Sequence, residues 1–407
     1  MKCGLLGRHL SHSYSPQIHA LLGSYSYSLF EKEPEELESF LRSGDWKGIN
    51  VTVPYKKDVI PFLDELSPAA LRLGAVNTII RKNGKLIGHN TDYFGFLTMV
   101  RSSGLDVSGK KALVLGSGGA SNTVVAVLEE LGAKVTVISR TGKNHYGNLD
   151  MHRDAAVLVN TTPVGMFPHN GESPVNLEML PNLEGVLDLI YNPARTQLLL
   201  DAEKRGLVTA NGLLMLVAQA KEASEWFTGN QNDDSAIIKI HRTLQRQTEN
   251  IILIGMPGCG KTTVAKTLAK CLGRKFVDAD LLAEQIAGMP IPDIFREFGE
   301  DTFRKYESTA LHHIGMQTGL VISTGGGCVT KASNYPLLHQ NGTIFWLKRD
   351  LSALSTEGRP LSQQQKLSDM YQIRKPLYEA FADYEINNDG DLAETVNQIT
   401  VILEDRI

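Results

Sequence analysis

The chain has 407 residues, of which 42% are hydrophobic, and a formal net charge of −4. A prior of about 150 residues per domain suggests two or three domains, and the slightly acidic balance argues against a dedicated nucleic-acid binder. No apolar run approaches the roughly 18 residues of a membrane span. The N-terminal stretch lacks the regions of a secretion signal, so we expect a cytoplasmic protein. Four cysteines without a CxxC pair argue against a disulfide framework or a structural zinc site.

The first half alternates helical and strand patterns. SPQIHALLGSY predicts a helix with Pro16 in its first turn, and GINVTVP predicts a strand. AVNTIIRKNGKLIGHN predicts two strands joined at Asn83-Gly84, a hairpin turn signal. KKALVLGSGGASNTVVAVLEELGAKVTVISRT then predicts a strand, a glycine turn, a helix and a second strand, which together form a β-α-β unit. AAVLVNTT and GVLDLIY predict further strands, and NGLLMLVAQAKEASEWF predicts a long helix.

The segment TGNQNDDSAIIKIHRTLQRQTEN marks a junction, because it begins with Gly, Asn and Asp residues. Apolar residues at Ile237, Ile240 and Leu244 predict an amphipathic helix, which we assign to the first half. After the junction the pattern of strand, loop, helix and strand begins again and continues to the end. The predicted fold class is therefore α/β, with one domain group at 1–248 and a second domain at 249–407.

The β-α-β unit carries a glycine turn with Gly116, Gly118 and Gly119 between its first strand and its helix. Such a turn lets backbone amides approach a pyrophosphate at a helix N-terminus. The third position of the dinucleotide fingerprint is Ser121, which is small but is not glycine. The complete β-α-β context favours nucleotide binding over a tight turn without a ligand.

The second strand of this unit ends in ISRT rather than in an acidic residue. An NAD site uses an acidic side chain there to bond the ribose hydroxyls. Ser139, Arg140 and Thr141 instead offer a cation and two hydroxyls, which suit a 2′-phosphate. The sequence therefore favours NADP over NAD, and the alternative is a solvated surface arginine.

Polar motifs recur at predicted strand ends and loops throughout residues 1–247. In chain order they are SHSYSP, NVTVPYKK, AVNT, HNTD, the glycine turn, the arginine after the second strand, and GLLMLVAQA. This ordered set resembles the shikimate dehydrogenase family. The resemblance implies a substrate domain of about residues 1–100 with the C-terminal helices, and a Rossmann-like NADP domain of about residues 101–210. It also implies reversible reduction of 3-dehydroshikimate to shikimate, with NADPH as hydride donor.

By motif position, the resemblance implies that Lys56 and Asp92 form the catalytic pair. An ammonium can stabilise the charge that develops on the carbonyl oxygen and can donate the proton, while a carboxylate orients it. Lys57 adjoins Lys56, and the family spacing selects Lys56. The substrate is expected to contact Ser13, Ser15, Asn50, Thr52, Asn77, Tyr191 and Gln219. The cofactor is expected to contact Gly116, Ser117, Gly118, Gly119, Ala120, Ser139, Arg140, Thr141, Leu189 and Gly212.

One stretch departs from the family's pattern. Only 13 residues, GKNHYGNLDMHRD, separate ISRT from AAVLVNTTPVG, where the family usually has a longer helix and strand. We therefore expect a trimmed cofactor domain that has lost or shortened a helix. The consequence would fall on binding of the adenosine side of the cofactor more than on hydride chemistry.

The second half begins with a phosphate loop. GMPGCGKT matches the pattern GxxxxGK[ST] in full, with a predicted strand before it and a predicted helix after it. Lys261 is expected to act in catalysis by reaching the β- and γ-phosphate oxygens, and Thr262 is expected to bind Mg²⁺. Nucleotide contacts are expected at Gly258, Cys259, Gly260, Lys261, Thr262 and Thr263. We interpret the Cys259 thiol as incidental.

Two acids follow the next predicted strand, in FVDADLLAEQ. Asp278 could contact Mg²⁺ through water, and Asp280 could hold an acceptor hydroxyl and take its proton. Arginines in FRKYE, EGRPLS and IRKPLYEAF suggest an anionic acceptor and a charged transition state.

With STGGG, these motifs resemble the shikimate kinase family over about residues 250–407. The resemblance implies a P-loop α/β kinase domain with a parallel sheet, and ATP-dependent phosphorylation of the shikimate 3-hydroxyl. Shikimate is expected to contact Asp280, Arg304, Gly326 and Arg374. Arg359 would lie on a closing lid and reach ATP. The lid stretch LSALSTEGRPLSQQQK is short and lacks the second basic residue that the family often has before Arg359.

The two halves together predict a fused enzyme for consecutive steps toward chorismate and aromatic amino acids, because the product of the first step is the acceptor of the second. The implied cofactors are NADP, ATP and Mg²⁺, and we expect small-molecule substrates without a nucleic-acid or membrane partner. Two alternatives stay open: quinate as the substrate of the first half, and a sensor that binds ligands without turnover. The presence of Lys56, Asp92, Lys261 and Asp280 disfavours the sensor.

Overall fold

The structure is a computed structural model that describes residues 1–10, 13–354 and 366–405. It divides into two compact units: Met1–Met166 with Glu172–Thr243, and Phe167–Gly171 with Leu244–Ile407. The change from one unit to the other falls within a helix, Ser235–Thr248. In that helix Ile237, Ile240 and Leu244 are buried, as the apolar spacing predicted.

The described strands are numbered in chain order. They are β1 (Lys2–Gly7), β2 (Ser26–Glu31), β3 (Gly48–Val51), β4 (Glu65–Leu66), β5 (Thr78–Lys82), β6 (Lys85–His89), β7 (Lys111–Leu115), β8 (Lys134–Ile138), β9 (Val157–Asn160), β10 (Gly185–Asp188), β11 (Val208–Ala210), β12 (Asn250–Ile254), β13 (Lys275–Asp278), β14 (Leu320–Ser323), β15 (Gly342–Lys348) and β16 (Tyr384–Asn387).

The described α-helices follow the same convention. They are α1 (Ser15–Leu22), α2 (Leu37–Ser43), α3 (Pro68–Leu73), α4 (Asp92–Ser103), α5 (Gly119–Glu130), α6 (Gln197–Lys204), α7 (Leu213–Thr228), α8 (Ser235–Thr248), α9 (Lys261–Leu272), α10 (Ala279–Ala287), α11 (Ile291–Gly315), α12 (Asn334–His339), α13 (Leu367–Phe381) and α14 (Leu392–Asp405). In the part of the chain that the structure describes, no helix is both long and apolar enough to cross a membrane.

The first sheet is mixed, with strand order β2-β1-β3-β5-β6-β4. Strand β1 pairs in parallel with β2 and β3, whereas β3, β5 and β6 run antiparallel in sequence. The predicted hairpin is confirmed: β5 and β6 are joined by Asn83 (φ 52°) and Gly84 (φ 77°). Positive φ at both central residues is the type I′ geometry that matches the twist of paired strands.

The second sheet is parallel, with strand order β11-β10-β9-β7-β8. In β7, Ala112 and Val114 pack into the core on one face, while Leu113 and Leu115 pack into the core on the other face. A strand that is buried on both faces needs a continuous apolar run, which explains the sequence ALVL. The order reverses at β7 and β9, and ligands bind at such a switch point outside the carboxyl ends of the strands. The glycine turn follows β7 at this point.

The third sheet is parallel and belongs to the second unit, with strand order β13-β14-β12-β15-β16. Strand β12 lies in its centre, and residues Ile251 to Ile254 are fully buried. The phosphate loop therefore leaves the middle of the sheet and leads into α9. This confirms the predicted parallel P-loop domain, and the Rossmann-like second sheet confirms the other part of the predicted fold class.

The short stretch after β8 contains a 3₁₀ helix, Tyr146–His152, in place of a longer α-helix. Its apolar side chain Leu149 is buried in the core of the second sheet. The four cysteines are all free thiols, and among them Cys271 is exposed.

Two candidate active sites

The first site is centred on an ion pair between Lys56 and Asp92. The Lys56 Nζ lies 2.6 Å from the Asp92 Oδ2, and the two side chains are 21% and 10% exposed. Lys56 lies in the loop after β3, where its carbonyl oxygen accepts a hydrogen bond from the Val76 amide at 2.8 Å. Asp92 is the first residue of α4. Lys57 is exposed and has no place in this pair.

A buried amide network lies beside the ion pair. The Asn77 Nδ2 donates to the Thr91 Oγ1 at 3.0 Å, and the Thr91 amide donates to the Asn77 Oδ1 at 2.7 Å. The Gln219 Oε1, from α7, lies 3.5 Å from the Asn77 Nδ2. These contacts bring together the AVNT, HNTD and GLLMLVAQA motifs. The sequence interpretation did not single out Thr91, although it precedes Asp92 directly.

Asn50 is held by neighbours on two strands. Its Nδ2 donates to the Thr78 Oγ1 at 3.1 Å, and its Oδ1 accepts from the Tyr27 hydroxyl at 2.8 Å. Thr52 follows two residues later, and its amide donates to the Leu6 carbonyl at 2.9 Å. The sequence interpretation missed Tyr27, because a tyrosine in a strand pattern does not indicate which residue its hydroxyl will hydrogen-bond.

Within the SHSYSP motif, residues 13–16 lie at the start of α1. The Ser15 amide donates to the Ser13 Oγ at 3.2 Å. The rings of Tyr14 and Tyr191 lie with their centroids 5.4 Å apart, and burial raises the pKa of Tyr191. This ring contact brings Tyr191, which follows β10, to the N-terminal serines.

The glycine turn after β7 has the geometry of a phosphate cradle. Gly116 has φ 102°, and a Cβ on it would lie 2.9 Å from the Thr161 Oγ1. A Cβ on Gly118 or Gly119 would meet no atom of the protein within 4 Å. The turn is therefore tight at its first glycine and open at the next two, as a pyrophosphate site at the N-terminus of α5 requires. Ser117 and Ala120 lie between and after these glycines.

The end of β8 carries the residues predicted to select NADP. Arg140 and Thr141 are exposed, and the Ser139 hydroxyl donates to the Thr141 carbonyl. On the other side of the switch point, the Gly212 amide donates to the Ile190 carbonyl at 3.0 Å. A Cβ on Gly212 would overlap the Leu189 carbonyl oxygen, so only glycine allows this approach.

The second site is a cavity of about 500 Å³ at the carboxyl ends of β12, β13 and β14. Apart from Cys259 and Arg359, the predicted residues of this half line it: Gly258, Gly260, Lys261, Thr262, Thr263, Asp278, Asp280, Arg304, Gly326 and Arg374. Cys259 is buried, and its carbonyl accepts from the Asn388 Nδ2 at 2.6 Å. Arg359 lies outside the described residues.

The phosphate loop holds its own lysine. The Lys261 Nζ donates to the Gly255 and Met256 carbonyls, each at 3.0 Å. In the next position, the Thr262 Oγ1 donates to the Asp278 Oδ2 at 3.1 Å and lies 3.1 Å from the Ser323 Oγ. A hydroxyl and a carboxylate thus converge beside the loop, which is the oxygen chemistry that Mg²⁺ prefers.

Two acids in the lining of the cavity each have a buried carboxylate oxygen, and these oxygens lie on either side of Gly325. The Asp280 Oδ1 and the Glu307 Oε1 have no hydrogen-bond partner among the described residues. A Cβ on Gly325 would lie 2.5 Å from the first and 2.7 Å from the second. Burial, followed by repulsion from Glu307 and Asp278, raises the pKa of Asp280 to about 7. Glu307 was missed, although its i, i+3 spacing from Arg304 in FRKYE was available as a signal.

Arg304 and Arg374 lie on the glycine side of the cavity. The Arg304 NH1 contacts the Glu307 Oε2 at 2.8 Å, and its NH2 contacts the Glu300 Oε1 at 2.8 Å. The Arg374 NH1 donates to the Gly326 carbonyl at 3.2 Å. Both guanidinium groups therefore lie in the lining of the cavity that also contains Asp280, and Arg304 is paired there with two carboxylates.

Family comparisons assign both halves. A model described as the shikimate dehydrogenase substrate binding domain matches residues 5–79, and a model described as shikimate kinase matches residues 257–404. The shikimate dehydrogenase (NADP(+)) of Clostridium beijerinckii is 38% identical over 251 residues, which cover 57% of this chain and 93% of that protein. The chain belongs to the shikimate dehydrogenase family. Its residues 257–404 form a shikimate kinase domain.

Other relatives and solved structures agree for the dehydrogenase part. The shikimate dehydrogenase (NADP(+)) of Caldanaerobacter subterraneus is 39% identical over 254 residues, 56% of this chain and 91% of that protein. A chorismate mutase/shikimate 5-dehydrogenase fusion protein from Clostridium acetobutylicum has a TM-score of 0.58 and 34% identity, covering 60% of this chain and 97% of that one. Shikimate 5-dehydrogenase from Thermus thermophilus, in complex with NADP(H) and shikimate, has a TM-score of 0.54 and 34% identity, covering 60% and 99%.

The protein is therefore an enzyme with a shikimate dehydrogenase part and a shikimate kinase domain.

Proposed function

We propose that residues 1–248 reduce 3-dehydroshikimate to shikimate with NADPH, and that residues 249–407 phosphorylate the 3-hydroxyl of shikimate with ATP and Mg²⁺. The observation that carries the proposal is the Lys56–Asp92 pair at 2.6 Å, beside Asn77 and Gln219. The second site agrees with it, because its acid and its two arginines suit a hydroxylated carboxylate.

In the dehydrogenase step, Lys56 donates a proton to the substrate's carbonyl oxygen as that oxygen gains electrons. NADPH supplies the hydride when bound. Asp92 holds the ammonium in place at 2.6 Å and accepts a bond from the hydroxyl next to the carbonyl. Asn77 and Gln219 donate and accept through their amides, and Ser13 and Ser15 bind the substrate's carboxylate.

The residues present fit NADP. The open side of Gly118 and Gly119 leaves room for a pyrophosphate at the N-terminus of α5. The exposed Arg140, with the Thr141 hydroxyl, binds the 2′-phosphate in this proposal. No acidic side chain directly follows β8, where an NAD site would use one to bond the ribose hydroxyls.

In the kinase step, Asp280 accepts the proton of the substrate's 3-hydroxyl, and Arg304 and Arg374 hold its carboxylate. ATP supplies the phosphoryl group when bound. Lys261 leaves the Gly255 and Met256 carbonyls to contact phosphate oxygens. The residues present also fit Mg²⁺: Thr262 and Asp278, which lie 3.1 Å apart, would hold it together with the phosphates.

A coupled assay tests the proposal. The full chain is given 3-dehydroshikimate, NADPH, ATP and Mg²⁺, and the products are separated by chromatography. We expect NADPH oxidation followed by formation of shikimate 3-phosphate. NADPH oxidation without any phosphorylated product would contradict the kinase assignment, and phosphorylation of added shikimate without reduction of 3-dehydroshikimate would contradict the dehydrogenase assignment.

The substrate of the first half has quinate as its alternative. Measuring NADP⁺ reduction with shikimate and with quinate at equal concentrations separates the two. We expect the larger kcat/KM with shikimate, since the kinase domain requires that compound as its acceptor. A larger value with quinate would replace the proposed substrate.

A further inference from the structure

Four cationic side chains line the cavity of the kinase domain among the residues that the structure describes: Lys261, Arg304, Arg349 and Arg374. The proposed function gives roles to three of them. Arg349, which follows β15 directly, has none. It did not emerge from the sequence, because RD after a predicted strand matches no motif.

Arg349 lies on the nucleotide side of this cavity. Its NH1 is 3.7 Å from the position that a Cβ on Gly260 would take, and Gly260 is the residue before Lys261 in the phosphate loop. The other two arginines lie at the opposite glycines: Arg374 bonds the Gly326 carbonyl, and the Arg304 guanidinium lies against Gly327. The cations are therefore divided between an acceptor side and a phosphate-loop side.

The Arg349 guanidinium has no carboxylate partner among the described residues, and it is exposed to the cavity. Its neighbours in the chain are engaged elsewhere. The Lys348 Nζ pairs with the Glu385 Oε2 at 2.9 Å, and the Asp350 Oδ1 accepts from the Ser352 amide at 2.8 Å. A planar cation with free donors beside a phosphate loop matches the geometry of phosphate oxygens.

We propose that Arg349 binds the phosphate groups of the nucleotide in the kinase step, as a second cation beside Lys261. The proposal rests on the proposed function, because it assumes that the cavity takes ATP. It adds a nucleotide-binding residue that lies outside the phosphate loop and outside the stretch that contains Arg359. Arg349 acts on binding and on no proton, so its effect falls on KM for ATP.

The test compares Arg349→Ala with Lys348→Ala, because Lys348 is the adjacent, half-buried cation that is already paired with Glu385. Kinase rates are measured against ATP at saturating shikimate, and against shikimate at saturating ATP. We expect Arg349→Ala to raise KM for ATP about tenfold, with KM for shikimate unchanged, and Lys348→Ala to change neither. An unchanged KM for ATP in Arg349→Ala, or an equal rise in both variants, would overturn the proposal.

Two further measurements keep the outcomes distinct. Equilibrium binding of ADP and of adenosine to the full chain is compared between the Arg349→Ala variant and the unaltered chain. Weaker binding of ADP with unchanged binding of adenosine supports a phosphate contact, and equal weakening of both overturns it. Lys261→Ala tests the cavity itself: if that variant keeps full kinase activity, the proposed function fails, whatever Arg349 does.

Discussion

Two buried carboxylates act in opposite electrostatic settings in this protein. Asp92 faces the Lys56 ammonium at 2.6 Å. Asp280 lies close to Glu307. Burial, followed by repulsion from Glu307, raises the pKa of Asp280 to about 7. A paired acid orients a cation, whereas an acid with a pKa near neutrality can take and release a proton during turnover.

Adjacent lysines separate chemistry from surface charge at the dehydrogenase site. We expect Lys56→Ala to lower kcat for reduction of 3-dehydroshikimate about 100-fold or more, because the proton donor is lost. Lys57→Ala should leave kcat within about twofold, because an exposed charge contributes little. For both variants, NADPH oxidation is measured as the loss of NADPH absorbance over time. A similar loss in the two variants would mean that the pair at Lys56 is not the proton donor.

The raised pKa of Asp280 predicts a pH dependence of the kinase step. Asp280 must be deprotonated to accept the hydroxyl proton, so kcat/KM for shikimate should rise as pH passes through about 7 and then level off. The profile is measured at saturating ATP and Mg²⁺ between about pH 5.5 and about pH 9. This range extends more than about one pH unit on each side of the expected pKa. A flat profile across this range would contradict the assignment of Asp280 as base.

The same shift has a consequence for stability. The pKa of Asp280 is higher in the folded protein than the usual unfolded value of about 3.9. The folded state therefore holds the proton at pH values where the unfolded chain has lost it, and the free energy of unfolding falls as pH rises from about 4 to about 7. Asp280→Asn should raise the unfolding midpoint of the kinase domain at pH 8 by several degrees, and little at pH 4. Asp301→Asn, at an exposed acid, is the control.

At the scale of elements, each site depends on a strand followed by a turn that only certain residues allow. After β7, Gly116 turns the chain with φ 102°, and Gly118, the residue before α5, has φ −80°. The first glycine is required by the protein's own backbone. The second is required only when a ligand approaches the helix N-terminus.

This difference predicts distinct effects for two glycine variants. Gly116→Ala should destabilise the dehydrogenase part by about 1–2 kcal/mol, because its φ is unfavourable for alanine and its Cβ would press on Thr161. Gly118→Ala should leave stability unchanged and raise KM for NADPH about tenfold, since the new methyl group occupies the pyrophosphate's path. Thermal unfolding and NADPH titration distinguish the two. A stability loss in Gly118→Ala would refute this account of the turn.

At the scale of the whole molecule, the chain contains two units with separate hydrophobic cores. The core around β12 includes Ile252, Phe345 and Trp346, all from the second unit. The core around β7 is built from residues of the first unit, such as Val114, Val127 and Val159. The Lys56–Asp92 pair lies in the first unit and the lining of the kinase cavity lies in the second, so we expect each activity to depend on side chains of its own unit.

Independent cores predict separable activities. We expect Lys261→Ala to lower kinase turnover about 100-fold or more while dehydrogenase turnover stays within about twofold, because Lys261 hydrogen-bonds carbonyls of its own phosphate loop. Both rates are measured on one preparation of the full chain. Loss of both activities would show that the two halves are coupled.

The tertiary structure selected among residues that local patterns had left equivalent. The letters PYKK leave Lys56 and Lys57 alike, the family spacing selects Lys56, and in the structure Lys56 is the lysine that pairs with Asp92, 36 residues further along the chain. Thr91 and Tyr27 gave no signal of their own, because each makes its contact with a residue of another element. Arg349 is likewise a candidate phosphate-binding residue only because the structure places it near Gly260 of the phosphate loop.

The sequence by itself determined the β-α-β unit, the hairpin, the phosphate loop and the families to which the two parts are similar. These features depend on apolar periodicity, on glycines at fixed offsets and on motif order, which are properties of neighbouring residues. Only the tertiary structure decided that Asp280 has a pKa near 7 beside Glu307, and that Arg349 shares a cavity with Lys261, Arg304 and Arg374. Burial and distance between remote residues set those properties, and neither is encoded in a local pattern.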